Sequence, residues 1–336
     1  MVKIKDIALR CNTSIATVSK ALHDSDELSQ ETINRIKRVA DEMGYVPNAY
    51  ARALKMKRSF SIGIIFSDPT SGGLKHEYFS GILDSLKVSA EAKGYNITFL
   101  SKSPISKMTY FQIAKYRNMD GVIVVSEDFS NPEVVELVNS GLPVVTIDYV
   151  FNNATAIMSD NTEGLERLVS YVAGLGHKKI AYIHGEDTEV TRKRLAGFYK
   201  GMKENGLTVN PDYLLEGRFH EPRDCGQAVK KLISMSDRPS CILCTDDISM
   251  LGAITALNQA GFNIPKDMSV VGYDGVEISR IFRPVFTTYV QNSEELGKQA
   301  AENLIERIED PKTFIPRTVY VQGYVQEGNT TVALDK

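Results

Sequence analysis

The chain lacks the motifs on which many enzymes depend for binding phosphate or for nucleophilic catalysis. No Gly-x-Gly-x-x-Gly follows the first apolar run, and neither a Walker-type Gly-Lys-Ser/Thr nor a Gly-x-Ser-x-Gly sequence is present. The five histidines show no metal-ligand spacing. The sequence therefore predicts a protein that is not an enzyme, with no catalytic residues, no metal and no cofactor.

Long apolar runs and disulfide-forming cysteines are also scarce. No apolar stretch approaches 18 residues, and the N-terminal residues lack the apolar segment of a secretory signal, so we expect a cytoplasmic protein that contacts no membrane. Four cysteines, one of them near the N-terminus, do not form a disulfide framework. Cys241 and Cys244 have redox-motif spacing, but they lie in an apolar run, which favours two buried thiols.

The first 46 residues have the pattern of three short helices. Apolar residues recur at i, i+3, i+4 and i+7 in the first helix, at Ile4, Ile7, Ala8 and Cys11. Asn12 tolerates the left-handed backbone of a tight turn, and Ser14 can cap a second helix over residues 15–22. A third helix is predicted from about Ser29 to Met43.

The second helix offers a small, polar face with one cation, which suits the DNA major groove. Val18 and Leu22 would hold this helix on the core. The candidate DNA-binding residues are Ser14, Ile15, Ala16, Thr17, Ser19 and Lys20. On periodicity alone, a three-helix packing module with no nucleic-acid role is an equally good interpretation.

A short segment after the third helix favours DNA binding. Residues 48–56 combine a capping Asn, good helix formers and an apolar Leu between cations, but they are too few for a stable isolated helix. We expect a hinge helix that forms only with a partner, with Leu54 as an apolar wedge in the minor groove. The candidate contacts are Asn48, Arg52, Leu54 and Lys55. The distribution of charge along the chain also favours DNA binding by the N-terminal region. Residues 1–58 carry eleven Lys and Arg against seven Asp and Glu, whereas the remainder of the chain carries more acidic than basic residues.

From Ser61 onward, short apolar runs alternate with amphipathic helical stretches. This alternation predicts an α/β body with parallel sheets whose strands are buried on both faces. Seven runs are too many for one small sheet, so we expect two subdomains. The runs are residues 62–66, 97–100, 122–125, 144–147, 180–183, 241–244 and 270–273, followed by a helix at 293–309 and a final strand around 318–324.

Hydroxyl and carboxyl side chains follow these runs repeatedly. Asp68, Asp148, Asp246, Asp247 and Asp274 are the main examples. Ligands of open α/β sheets bind outside the carboxyl ends of the strands, so the repetition predicts a cleft between the two subdomains. Carboxylates arrayed with an arginine suit a neutral, polyhydroxylated ligand such as a sugar. The alternative for any single carboxylate is an ordinary polar loop.

In its motifs the chain resembles the LacI/GalR family of bacterial transcription regulators. The segments that carry the resemblance are Lys3-Ile4-Lys5-Asp6-Ile7-Ala8, Ser14 to Leu22 and Met43-Gly44-Tyr45-Val46-Pro47-Asn48-Ala49. The family usually has Gly at the position of Asn12 and Arg at the position of Lys20. Because Lys lacks the bidentate fork of Arg, the base preference here is expected to differ.

The resemblance implies the domain plan. A helix-turn-helix domain would span residues 1–46 and a hinge helix with linker residues 47–60. A periplasmic-binding-protein-like body would span 61–330 and bind the effector and the second copy of a homodimer. In this family the chain recrosses between the subdomains. One subdomain would therefore comprise about 61–160 and 292–318, and the other about 161–290 and 319–330.

The resemblance also assigns effector contacts. Arg194 matches the arginine that grips the effector, and Asp246, Asp247 and Asp274 match two later strand ends. Asp148 matches a polar contact and Phe219 an aromatic stacking one. The loop from Asp68 to Tyr78 departs from the family pattern, and with His76, Tyr78 and Phe79 it is where effector identity would diverge.

These features together predict a dimeric transcription regulator, most simply a repressor. Its partners would be double-stranded operator DNA and a small effector, which we expect to be a carbohydrate. A solute-binding protein or a sugar-sensing activator with the same body is the alternative. A nucleobase effector and a phosphoprotein co-regulator also occur in the family.

Overall fold

The computed structural model of the protein comprises two compact units. They divide between Ser59 and Phe60, and we call the first the head and the second the body. The described residues are 2–22, 25–46, 58–67, 73–101 and 107–334. The predicted hinge helix falls in residues 47–57 and therefore lies outside them.

The described part of the head consists of three helices around a small apolar core. Helix α1 spans Ile4–Arg10, α2 Ile15–Ala21 and α3 Gln30–Glu42. Asn12 adopts the predicted left-handed backbone, with φ of 48°. The Ser14 side chain accepts a hydrogen bond from the Thr17 amide and so begins α2 as predicted. The core is formed by Ile7, Ala8, Cys11, Val18, Ala21, Ile33, Ile36 and Ala40.

The first sheet of the body has six parallel strands in the order β11-β5-β4-β3-β1-β2. Its central strands are apolar on both faces because helices cover both sides, which is the expected property of a parallel sheet. We call this part of the body the first subdomain. Its strands are β1 Ser61–Phe66, β2 Asn96–Phe99, β3 Gly121–Ser126, β4 Val144–Ile147, β5 Thr155–Ser159 and β11 Thr318–Val321.

The second sheet has the order β12-β10-β9-β8-β6-β7, and all pairs are parallel except β10 with β12. It forms the second subdomain, again with apolar clusters on both faces. Its strands are β6 Ile180–His184, β7 Leu214–Glu216, β8 Cys241–Leu243, β9 Ser269–Asp274, β10 Thr287–Val290 and β12 Tyr324–Gln326.

The helices of the body lie against these two sheets. Helices α4 and α12 pack on each other in the first subdomain, and the pairs α7 with α8 and α9 with α10 do so in the second. Short 3₁₀ turns precede α4 and β7, at Gly73–Lys75 and Pro211–Tyr213. The helices are α4 Glu77–Ala92, α5 Tyr110–Tyr116, α6 Pro132–Asn139, α7 Asn161–Gly174, α8 Glu189–Glu204, α9 Pro222–Ser234, α10 Asp247–Gln259, α11 Ile278–Ile281 and α12 Ser293–Glu309.

The chain passes between the subdomains three times: at residue 160, at residues 291–292 and at residues 322–323. The third passage corrects one predicted boundary. Instead of one strand around 318–324, the chain forms β11 in the first sheet and β12 in the second, so residues 319–321 belong to the first subdomain. The pattern also missed β5, β7 and β10, since β7 is short and the other two contain threonines.

The four cysteines are free thiols and all are buried, which confirms the prediction for Cys241 and Cys244. Burial raises the pKa of both of these thiols. None of the helices in the described part of the chain is long and apolar enough to cross a membrane.

Candidate functional site

The outward face of α2 is the first candidate site. Ile15 is 52% exposed although it is apolar, and Ala16 is exposed beside it. Val18 is fully buried and anchors the helix, as predicted. The remaining predicted contacts, Ser14, Thr17, Ser19 and Lys20, are exposed or partly exposed on the same helix or at its cap. Lys20 donates a hydrogen bond to the carboxylate of Glu27.

Five predicted site residues lie outside the described part of the chain. Four are the hinge contacts Asn48, Arg52, Leu54 and Lys55, and the fifth is Asp68 of the loop before α4. Their roles stay predictions.

Arg194 is the centre of the second candidate site, in the cleft between the subdomains. It lies in the second turn of α8, and only 4% of its surface is exposed. Its guanidinium donates to Asn161 Oδ1 at 2.8 Å and to the Thr245 carbonyl at 3.0 Å. It also lies 3.7 Å from the centre of the Tyr273 ring. These partners fix the cation in place and leave it close to Asp274.

Asp274 ends β9 and faces the same space. Its backbone is in the positive-φ region, at 100°, which turns the carboxylate away from the strand direction. Oδ1 lies 3.5 Å from an Arg194 nitrogen and accepts a 2.6 Å hydrogen bond from Gln291 Nε2. Oδ2 lies 3.9 Å from His220 Nε2. The carboxylate is therefore held by several partners and is 8% exposed.

Gln291 extends this arrangement into the first subdomain. It lies in the second passage between the subdomains, and its Oε1 accepts a hydrogen bond from the Ser159 hydroxyl. The Ser159 amide in turn donates to Asp148 Oδ1 at 2.7 Å. A continuous path of hydrogen bonds therefore runs from Asp148 of the first subdomain to Asp274 and Arg194 of the second.

On the first-subdomain side of the cleft, Asp148 and Tyr78 form a hydrogen-bonded pair of polar side chains. The Tyr78 hydroxyl donates to Asp148 Oδ2 at 3.1 Å. Asp148 has a positive φ of 57°, and burial raises the pKa of its carboxyl. Burial also raises the pKa of Tyr78, and the nearby Asp148 carboxylate adds to this. Both groups are therefore in a low-dielectric environment, where a hydrogen bond to a ligand is strengthened.

Aromatic rings lie beside these polar groups. The His76 and His220 rings, one from each subdomain, have centres 3.8 Å apart. Phe219 packs against Gly185, where a Cβ would lie 2.2 Å from the ring, and its ring centre is 5.6 Å from the Arg194 guanidinium. The predicted residues His76 and Phe219 thus do lie in this region.

Two predicted effector contacts have structural partners instead. Asp246 is not in a strand; it caps α10, accepting from the Ser249 amide at 2.7 Å, and its other oxygen accepts from the His220 amide. Asp247 accepts from Thr288 Oγ1 and from two backbone amides at the end of β9. Both are fully buried, and burial raises the pKa of Asp247. Neither residue has an exposed carboxylate with which to meet a ligand.

The structure adds residues that the pattern did not predict. Asn161, Thr245, Tyr273, His220 and Gln291 all contact Arg194 or Asp274. A cavity of about 440 Å³ adjoins Asp274 and is lined by both subdomains, with Glu77, Tyr78, Asp84, Arg280 and Gln291 among its residues. Its volume is in the range of small-molecule sites. Among the described residues, no group of three or more His, Cys, Asp or Glu is arranged to hold a metal ion.

Comparisons with known proteins agree with this architecture. The family model described as "Bacterial regulatory proteins, lacI family" matches residues 3–48, and "Periplasmic binding protein-like domain" matches residues 169–331. The chain is 32% identical to the HTH-type transcriptional repressor PurR of Pasteurella multocida, over 92% of this chain and 93% of that one.

Two solved structures show the same fold over nearly the whole chain. The lac repressor dimer bound to operator and the anti-inducer ONPF superposes with a TM-score of 0.80 at 24% identity, covering 99% of both chains. The transcriptional regulator CelR in complex with cellobiose gives a TM-score of 0.71 at 23% identity, covering 98% of this chain and 100% of that one.

The predicted fold class is confirmed, with its helical head and two-subdomain body. The curated relatives are transcriptional repressors, which confirms the prediction of a regulator rather than an enzyme. The chain belongs to the lacI family of bacterial regulatory proteins.

Proposed function

We propose that this protein is a repressor that binds operator DNA through its head and is controlled by a small ligand in the cleft of its body. The observation that carries the proposal is the buried Arg194–Asp274 pair on the second-subdomain side of the cleft, in a chain that also has an exposed helix-turn-helix face. Burying a charged pair costs desolvation energy that the attraction between the two charges often does not offset, and such pairs are concentrated at functional sites. We place this activity in the cytoplasm, where the DNA is.

The chemistry of the cleft favours a carbohydrate. Asp148 and Asp274 can each accept from adjacent hydroxyls, Arg194 can donate, and Phe219 offers an aromatic face to the apolar side of a sugar ring. These groups come from both subdomains, so a ligand that meets all of them would hold the cleft in one geometry. A purine is the second candidate, suggested by the relatives named PurR.

Control of DNA binding follows from the three passages between the subdomains. A ligand that changes the angle between the subdomains would change the separation of the two hinges in a homodimer. The separation of the hinges would decide whether the two heads can bind both half-sites of a pseudo-palindromic operator at once. The hydrogen-bond path through Gln291 and Ser159 supports this coupling, because it crosses the second passage.

The ligand is tested by thermal unfolding of the full-length protein against a panel of sugars and purine bases. A ligand present at 100 times its Kd raises the free energy of unfolding by about 2.7 kcal/mol, which is readily visible in Tm. Stabilisation by one or a few related sugars supports the carbohydrate proposal. Stabilisation by a purine alone would replace it with the second candidate.

The hinge proposal is tested with Leu54→Ala. Loss of an apolar wedge between Arg52 and Lys55 should weaken operator binding, measured by fluorescence anisotropy at fixed salt, and leave ligand-induced stabilisation unchanged. An unchanged operator affinity would remove the wedge assignment.

A further inference from the structure

The head contains an ion pair on the face that is proposed to meet DNA. Lys20, near the end of α2, donates to the Glu27 carboxylate in the loop that leads to α3. The two side chains are 44% and 67% exposed. The predicted base-reading cation is therefore joined to an anion that lies at the same surface.

Stability does not explain this pair. Exposed ion pairs contribute little to folding, and the head already has an apolar core beneath α2 and α3. When Lys20 donates to a base instead, the Glu27 carboxylate is left without this partner and repels the phosphates of DNA. Glu27 therefore weakens binding in general unless it finds a donor when the head is bound.

The major groove supplies such a donor. Lysine donates to the O6 and N7 acceptors of guanine, whereas glutamate accepts from the N4 amino group of cytosine. We propose that Glu27 is a specificity-determining residue that, together with Lys20, reads a guanine and a cytosine close to each other in each half-site. The inference rests on the proposed function, since it concerns how the head chooses its DNA.

The Lys20–Glu27 pair should also weaken binding to DNA that lacks the cytosine at this position. Where the groove presents acceptors in place of the cytosine amino group, the carboxylate meets like partial charge and loses solvent without gaining a hydrogen bond. Discrimination then comes from a penalty on wrong sites as well as from a contact at the right one. The removal of the carboxylate should accordingly raise affinity for arbitrary DNA while it lowers selectivity.

The experiment uses the full-length protein and a pool of double-stranded DNA with a randomised centre, sequenced before and after selection. The variants are Glu27→Gln and Lys20→Gln, and the control is Glu42→Gln, which removes one negative charge from the exposed end of α3. Selected duplexes and their single base-pair variants are then titrated by anisotropy at fixed salt.

The wild type should select one guanine and one cytosine per half-site. Glu27→Gln should lose the cytosine preference by about ten-fold and keep the other positions, and Lys20→Gln should lose the guanine preference. Glu42→Gln should keep both preferences.

Two results overturn the inference. One is a Glu27→Gln variant that selects the same base pairs as strongly as the wild type. The other is a variant that gains affinity for every duplex equally, because Glu27 would then act only as a general negative charge. If the wild type itself selects no sequence, the proposed function fails and not only this inference.

Discussion

The two sides of the cleft are built differently. On the second-subdomain side, Arg194 and Asp274 are almost fully buried and held by partners from several elements. On the first-subdomain side, the described polar contacts are fewer, centred on Tyr78 and Asp148 next to the loop before α4. The second-subdomain side is therefore organised around a buried charged pair, and the described part of the first-subdomain side around the hydrogen bond between Tyr78 and Asp148.

This difference suggests how the tasks of the cleft are divided. A group that is already fixed by its neighbours loses little entropy on binding, so the second subdomain should supply most of the ligand affinity. The first subdomain should contribute less affinity and more of the choice between ligands. The Gln291–Ser159 link between the two sides should then transmit the change to the head.

Asp274→Asn should have the largest effect on ligand binding. The change removes a charge-assisted acceptor worth about 1.5–3 kcal/mol, so ligand Kd should rise roughly ten- to a hundred-fold. Isothermal titration with the ligand found by thermal unfolding measures this. Asp247→Asn is the matched control, because that buried carboxylate bonds to the backbone; it should lower Tm and leave Kd within about two-fold. Equal effects of the two variants on Kd would refute the assignment of Asp274 to ligand binding and of Asp247 to structure.

Gln291→Leu should have an intermediate effect, mainly on the coupling between ligand and operator. The variant removes the hydrogen bonds to Ser159 and Asp274 while it keeps a side chain of similar size. Ligand should still bind, but the ligand-induced change in operator affinity should fall by roughly 1 kcal/mol, or about five-fold. Operator titrations with and without ligand report the change. A full response in this variant would show that coupling runs through other contacts.

Tyr78→Phe should have the smallest effect. It removes one hydrogen bond to Asp148 and preserves the ring, so affinity for the best ligand should fall only about two- to four-fold. Discrimination between related ligands should change more than affinity for any one of them. Titration of the variant with two sugars that differ at one hydroxyl measures both. A loss as large as that of Asp274→Asn would remove the proposed asymmetry of the cleft.

Much of the fold could be predicted because its signals are local. Asn12 and Ser14 mark the turn and cap of the head, and uninterrupted apolar runs mark the central strands. The strands β5 and β10 were not predicted, because each includes threonines. In a sequence, threonines are as typical of loops as of strands, and here neighbouring strands bury them. The division of residues 318–326 into β11 and β12 depends on which sheet each strand pairs with, and no local sequence pattern indicates that pairing.

The candidate site was only partly predictable, for a different reason. A carboxylate after a strand has the same local pattern whether it faces a ligand or caps a helix. Asp274 and Asp246 differ only in where the fold turns them: the first toward Arg194, the second toward the amides that begin α10. Gln291 had no signal at all, since a single glutamine after a strand acquires its role only when the chain passes between subdomains.

We expect ligand and operator to bias one equilibrium of this protein, and the reciprocity of their two binding constants is the most direct test. Ligand Kd is measured by titration of the full-length protein, once alone and once saturated with its selected duplex, and operator Kd is measured with and without ligand. Both constants should change by the same factor, about five-fold or more. Ligand affinity that is identical with and without operator, at saturating occupancy of the cleft, would contradict it.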